Sequence, residues 1–331
     1  MGIYRAFSLS TEGASHKIHN IPCQDAALDN DAGGTDGEGD AGISIIVVAD
    51  GHGSPQYFRS DIGSRFAAEI AMNGITELHR QCPCVPEALA DRDGREGWSI
   101  LDRLARHIIS SWYTRVSDDE LASPIANDDR LIDIDSIYRY QYLDDPDRQF
   151  FTHAYGSTLI VAAMTDEYWF GMQIGDGKCV VLYDDGTWDQ PIPWDDECFL
   201  NITTSICDDG AIDEFRYWFG RRDKNGAISE YRFGIDGQNK DMMNINAHKP
   251  VAIFIATDGV DDSFPIYEND KHLVNLYRNI MLKYADIGYD ITKEQINDLA
   301  KKMAEQGSRD DVSIAGIICE QDNISSLIHL D

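Results

Sequence analysis

The chain has 331 residues, 43% of them hydrophobic, enough to bury a substantial core, and a single domain of residues 1–331 is expected. Its 28 Lys+Arg stand against 58 Asp+Glu, a formal charge of −30 that repels a phosphate backbone and argues against nucleic acid as a partner. Seven cysteines form no even disulfide framework, and Cys82-Pro83-Cys84 has no second ligand pair at zinc spacing, so a reducing cytoplasm is the expected setting.

In chain order, the first six residues lack the apolar core of a signal peptide and carry Ala6 where a myristoylation motif wants Ser or Thr. No apolar run reaches membrane-spanning length, so neither membrane insertion nor anchoring is expected. Asp29-Asn30-Asp31-Ala32-Gly33-Gly34, running on to Asp40, has glycine at the fifth position of a calcium loop and no glutamate at the twelfth, and reads as a hairpin connection. Ile43–Ala49 is the first continuous apolar run and reads as a strand covered on both faces. Ile62, Phe66 and Ile70 with Leu78, then Leu101, Leu104, Ile108 and Trp112, recur at helical spacing and predict two amphipathic helices. Residues 118–147 carry ten acidic residues against Arg130 and Arg139, the composition of a solvated insertion.

Thr158–Met164, Tyr168–Ile174 and Cys179–Tyr183 are strands separated by connections too short for a parallel crossover, and are expected to form an antiparallel meander turning at Gly175-Asp176-Gly177. Residues 186–250 mix three tryptophans with turn residues and weak periodicity, and are expected to form a flap over a site. Val251–Ala256 and Val312–Cys319 complete the strands. Between them Thr292-x-x-Gln295 matches a capping box, Ile296, Leu299 and Met303 form an apolar stripe, and Gly307 stands where that helix should stop. Helices and antiparallel strands in one domain predict a layered α+β fold.

Chemistry concentrates at strand ends. Asp50-Gly51-His52-Gly53 follows the first apolar run and Asp258-Gly259 follows Val251–Ala256. Asp310-Asp311 precedes the last strand, and Asp176 lies between two glycines. Rigid strand ends deliver the carboxylates, and glycine leaves the Gly51 carbonyl free to approach an ion. Carboxylates gathered this way repel one another unless cations neutralise them, which points to hard ions with oxygen ligands, Mg²⁺ or Mn²⁺.

The order of Gln24-Asp25, Asp50-Gly51-His52-Gly53, Gly156-Ser157-Thr158, Gly175-Asp176-Gly177, Thr257-Asp258-Gly259 and Gly307-Ser308-Arg309-Asp310-Asp311 resembles the successive motifs of type 2C metal-dependent protein serine/threonine phosphatases, in their bacterial form, over nearly the whole chain. The resemblance implies a four-layer α-β-β-α sandwich of two antiparallel sheets flanked by helices, with two ions at one edge and a possible third. It implies that Asp50 bridges the ions, that the Gly51 carbonyl, Asp258 and Asp310 hold the first, that Asp25 serves the second, and that Asp176 with Asp258 recruits the third. A water shared by two such ions becomes a bridging hydroxide able to attack a phosphomonoester in line. The resemblance further implies that His52 is the general acid for the leaving alkoxide, the alternative being that it orients a metal-bound water, and that the substrate is a phosphorylated protein with a cognate kinase opposing the enzyme.

The chain departs from the family pattern at Gln24, where many members have glutamate, at Asp311, where many have asparagine, and at Ser54, where glycine is common. These place Gln24 and Asp311 behind the ligands rather than among them. Asn20 stands where the phosphate-gripping arginine is usual. Lys17 is the expected replacement, beside His16 and His19, with Arg5, Arg59 and Arg221 as alternatives. Cys23 reads as a small buried side chain. Two other classes compete with the phosphatase: a catalytically weak regulatory or binding module that keeps the fold, suggested by Gln24 and the missing arginine, and a metal-dependent nuclease, which the charge disfavours.

Overall fold

In the computed structural model the residues described are 3–31, 42–82, 84–89, 93–144, 150–196, 198, 202–235, 239–241, 248–320 and 324–328. Their elements run β1 (Ile3–Thr11), α1 (Ala14–His19), β2 (Asp25–Asp29), β3 (Ser44–Asp50), α2 (Ser60–Gln81), α3 (Val85–Ala88), α4 (Arg95–Ala122), α5 (Ser136–Leu143), β4 (Leu159–Met164), β5 (Tyr168–Ile174), β6 (Lys178–Tyr183) and β7 (Trp188–Asp189). They continue through β8 (Arg216–Arg222), β9 (Ile228–Phe233), β10 (Asn239–Asp241), β11 (Pro250–Ala256), α6 (Asp258–Asp261), α7 (Asn269–Ile287), α8 (Tyr289–Gln306), β12 (Val312–Glu320) and α9 (Ile324–Ile328).

The strands form two antiparallel sheets, one ordered β1-β12-β11-β6-β7 and the other β10-β9-β8-β5-β4-β3-β2. Alternation along a strand sends neighbouring residues to opposite faces. In β3, Ile46 and Val48 enter the core between the sheets, while Ile45, Val47 and Ala49 face a core closed by α2 and α4. In β11, Ile253 and Ile255 point inward between the sheets, while Phe254 meets Tyr277 of α7 in a stacked pair 4.6 Å apart. The unbroken apolar runs are therefore double-sided strands, and the fold is an α+β four-layer α-β-β-α sandwich. Among the described residues no helix is long and apolar enough to cross a membrane.

Four expectations change. The three strands expected to form a meander do not share a sheet: β4 and β5 pair in the larger sheet, whereas β6 pairs with β11 and β7 in the smaller. A short connection requires proximity, not pairing, and Gly175, at φ +98°, turns the chain from one sheet to the other in a conformation that favours glycine. Thr292 is not a cap. Helix α8 starts at Tyr289, and the Thr292 hydroxyl donates back to the Gly288 carbonyl at 2.7 Å, although Gly307 does end the helix.

The acidic stretch 118–147 is anchored, as far as it is described. Ile125, Leu131, Ile134 and Tyr142 are buried with α2 and α4, and Asp128 pairs with buried Arg59 at 3.1 Å. Apolar residues at these few positions outweigh the surrounding charge; residues 145–147 lie outside the described set. Much of 186–250 is sheet rather than flap. Trp218 of β8 is fully buried between the sheets because β8 pairs with β5 on one side and β9 on the other. Of the 29–40 connection, residues 32–40 lie outside the described set, and β2 and β3 on either side of it pair antiparallel.

Candidate active site

Strand pairing sets the first two carboxylates side by side, since Asp25 and Asp50 are register partners across β2 and β3. The end of β3 is clamped to the segment before β4: the Asp50 amide donates to Thr158 Oγ1 at 3.2 Å, and the Thr158 amide returns a bond to the Asp50 carbonyl at 2.8 Å. Gly51 is required by space, because a Cβ there would lie 2.6 Å from both the Gln24 and Ser60 carbonyl oxygens. The opposing sheet closes the site. Thr257, at the end of β11, donates through its hydroxyl to Asp25 Oδ2 at 2.8 Å and accepts from the Ser313 amide at 3.0 Å, and Asp258 follows it. The turn carrying Asp176 is gripped from behind by Gln173, which donates to the Gly175 and Gly177 carbonyls at 3.0 and 2.6 Å, and by the Arg216 guanidinium on the Gly175 carbonyl.

Asp25, Asp50, Gly51, Asp176, Asp258 and Asp310 thereby line one cleft of about 660 Å³, together with His52, Gln24 and Asp311. Desolvation, then the charges of Asp258 and Asp25, pushes Asp50 well above the usual carboxylate range. Desolvation and Asp311 do the same to Asp25. Burial followed by Asp176 raises Asp258 to about 7. A carboxylate group this crowded is costly when ionised and alone. The Gln24 Oε1 atom is also buried with no hydrogen-bond partner among the described residues. Crowded carboxylates and an orphaned amide oxygen form an all-oxygen donor set, which fits Mg²⁺ or Mn²⁺ and suits softer ions poorly.

A pH dependence follows for the metal-free protein. Carboxyls whose folded pKa is raised bind protons more tightly folded than unfolded, so their contribution favours folding when protonated and is lost as pH rises from about 4 to about 7. In chelator the melting temperature should fall between about pH 5 and about pH 7.5, and saturating Mg²⁺ should flatten that slope. A metal-free melting temperature that rises across this interval would contradict the crowding.

His16 is buried with its ring 3.0 Å from Asp311 and 3.4 Å from Asp310, which directs it to carboxylates and not to a substrate phosphate. Asp311 is a brace. Burial opposes its charge, but His16 and the Gly13 and Gln24 amides, donating at 2.7 and 2.6 Å, hold its carboxyl below the ordinary range. Gln24 is likewise tied in, donating to Ser60 Oγ at 2.5 Å and to the His52 carbonyl at 3.2 Å. Lys17 is exposed on α1 and does not line the cleft, because the short helix turns His16 inward and its neighbour out. Arg59 is buried against Tyr155 and Asp128, Arg5 pairs with Asp31, and neither they nor Arg221 line the cleft. No lysine or arginine is among its described lining residues. The cations whose charge reaches Asp176 are Lys178 and Arg216, from behind the turn.

Sequence reasoning missed Asp262, which lines the cleft one helical turn beyond Asp258, its amide bonded to the Asp258 carbonyl at 2.8 Å. The i, i+4 spacing of two aspartates at a strand-to-helix junction was the available signal. Thr257 and Thr158, quoted only as motif members, turn out to fix Asp25 and Asp50.

Two facing antiparallel sheets, helices outside and an aspartate-lined cleft at one edge define the class of fold. A family model described as Protein phosphatase 2C matches residues 12–298, and the chain belongs to that family. The matched span includes Asp25, Asp50, Asp176 and Asp258 and ends before Asp310. Solved structures similar to this one include a C. elegans sex determining protein, at 15% identity and TM-score 0.50 over 99% of this chain and 68% of that one. Others are PppA of Pseudomonas aeruginosa, at 14% and 0.48 over 97% and 100%, and the catalytic domain of the serine/threonine phosphatase PstP with 2 manganese ions, at 12% and 0.48 over 97% and 100%. No curated protein matches the chain.

Proposed function

We propose that this protein is a cytoplasmic, metal-dependent phosphoprotein phosphatase that hydrolyses phosphoserine or phosphothreonine monoesters, opposing a kinase. The observation that carries this reading is the convergence of Asp25, Asp50, Asp176, Asp258 and Asp310, from both sheets, on one cleft in a chain of the 2C family. Asp50, the Gly51 carbonyl, Asp258 and Asp310 would hold one Mg²⁺ or Mn²⁺, Asp25 with Asp50 a second, and Asp176 with Asp258 a third. The chemistry supplied by ions bound there is Lewis acidity: charge neutralisation at the phosphate and a lowered pKa for the attacking water.

The chain's own residues orient and protonate. His52 is positioned by its amide, which donates to the Gly156 carbonyl at 3.1 Å, and by an edge contact with Tyr57, ring centres 4.6 Å apart. From there it protonates the departing alkoxide. Burial, then His153, pushes the ring down to about 4, so the negative phosphate of the substrate must restore its proton. With no lysine or arginine among the described lining residues, cations held by these carboxylates would be what meets the phosphate charge.

That same lack of a guanidinium favours the second reading, a weakly catalytic binding module. A phosphoserine peptide and an aryl phosphate, each assayed with Mn²⁺, with Mg²⁺ and in excess chelator, separate the cases. Turnover is expected with either ion and none in chelator. Full activity in chelator would overturn the metal mechanism, and no turnover of either substrate at saturating Mn²⁺ would favour the binding module.

A further inference from the structure

Two groups of three His, Cys, Asp or Glu side chains with donor atoms all within 4.8 Å of one another occur among the described residues, and one of them, His16 with Asp310 and Asp311, belongs to the cleft. The other unites His153, from the turn Phe151–Tyr155, with Cys207 and Asp208, from the turn ahead of Ala211–Glu214. Its three donor atoms lie within 4.8 Å of one another; Cys207 Sγ is 3.9 Å from His153 Nδ1 and 3.9 Å from Asp208 Oδ1. Tetrahedral zinc, with bonds of about 2.3 Å to sulfur and about 2.0–2.1 Å to nitrogen or oxygen, sets those edges at about 3.5–3.6 Å. A closure of a few tenths of an ångström along those two edges, within reach of side-chain torsions, would bring them to zinc's spacing.

The surroundings already orient the donors. The Ser205 amide donates to Asp208 Oδ2 at 2.8 Å, which leaves Oδ1 facing the thiol. The His153 ring stacks on Phe150, centres 4.6 Å apart, and turns Nδ1 towards Cys207. Such outer contacts fix ligand orientation in metal sites.

We propose that His153, Cys207 and Asp208 form a site for one borderline-soft divalent cation, Zn²⁺ in the first instance, separate from the aspartate cleft and with a fourth position open to water. Thiolate and imidazole select such an ion over the Mg²⁺ or Mn²⁺ that suit the all-oxygen cleft. Without metal, burial keeps the Cys207 thiol protonated, pushed up to about 12. Binding therefore exchanges the S–H bond for a sulfur–zinc bond and releases one proton to solvent.

The test uses the full chain in saturating Mg²⁺, with Co²⁺ as the spectroscopic probe, and needs no turnover. Thiolate-to-cobalt charge-transfer absorption should appear at one Co²⁺ per chain and disappear on adding Zn²⁺. It should be lost in Cys207→Ser and kept in Cys23→Ser, Cys23 being the thiol two residues before Asp25. Should Cys207→Ser fail to fold, Asp208→Asn, whose side chain is not buried in the core, should fold and weaken Co²⁺ binding at least about tenfold. No charge-transfer band at saturating Co²⁺, a band that survives in folded Cys207→Ser, or wild-type affinity in folded Asp208→Asn would each overturn the site.

Discussion

Asp50→Asn and Asp258→Asn should each lower turnover of a phosphoserine peptide at least about a hundredfold at saturating Mn²⁺, a change on the order of 3 kcal/mol in the barrier. Each substitution keeps size and hydrogen-bonding capacity but removes a charge that the proposed ions need. The fold should survive, and in chelator it should gain stability. Asp50 is raised well above the carboxylate range by burial and by Asp258, so a neutral amide relieves a strain that otherwise only protonation or bound cations relieve. The pairing of lost turnover with a raised metal-free melting temperature distinguishes a ligand from a residue that merely supports the fold, whose loss lowers both. Near-wild-type turnover of either variant at saturating metal would remove that residue from the site.

The strands that could be read from sequence are those whose two faces are both covered. Ile45, Val47 and Ala49 face the helices while Ile46 and Val48 face the other sheet, so no polar residue interrupts the run. Of the strands that escaped, β1 and β9 carry polar or charged residues within the pattern. In β1, the face that brings Tyr4 and Ala6 into the inter-sheet core continues as Ser8 and Ser10, while Arg5 interrupts the face of Phe7 and Leu9, and in β9 Glu230 and Arg232 interrupt the pattern while pairing with each other. Glu230 is buried yet partnered by Arg232 and the Tyr183 hydroxyl, a compensation visible only across strands.

The candidate site was legible for a different reason. Asp50, Asp176, Asp258 and Asp310 each sit beside a glycine or a strand boundary, and that local signature does not depend on knowing what lies opposite. What stayed hidden was pairing between distant segments. The change of sheet at Gly175 brings Asp176 towards Asp258, and the brace of Asp311 by His16, Gly13 and Gln24 joins three loops. For the same reason the sequence does not place Lys17: charge and proximity along the chain say nothing about which side of a six-residue helix faces the cleft.

His52→Ala should impair hydrolysis of a phosphoserine peptide far more than hydrolysis of nitrophenyl phosphate, by about a hundredfold against less than about tenfold in kcat. A serine alkoxide is a very basic leaving group and needs a proton as it departs, whereas nitrophenolate leaves readily without one. The site sharpens this contrast. His52 lies two residues after Asp50 in the chain, but its ring packs edge-on against Tyr57 and makes none of the hydrogen bonds that fix Asp25 and Asp50, so removing it should leave the manganese dependence nearly unchanged. Its pKa, pushed down to about 4 by burial, adds a second expectation. If the substrate phosphate restores the proton, kcat for the peptide should fall as pH rises past the restored value, and His52→Ala should abolish that fall while leaving the nitrophenyl phosphate profile alone. A His52 that instead orients water at the ions predicts equal losses on both substrates and a weakened manganese dependence. Measuring kcat for both substrates across a manganese titration and a pH series separates the two, and equal losses would end the acid assignment.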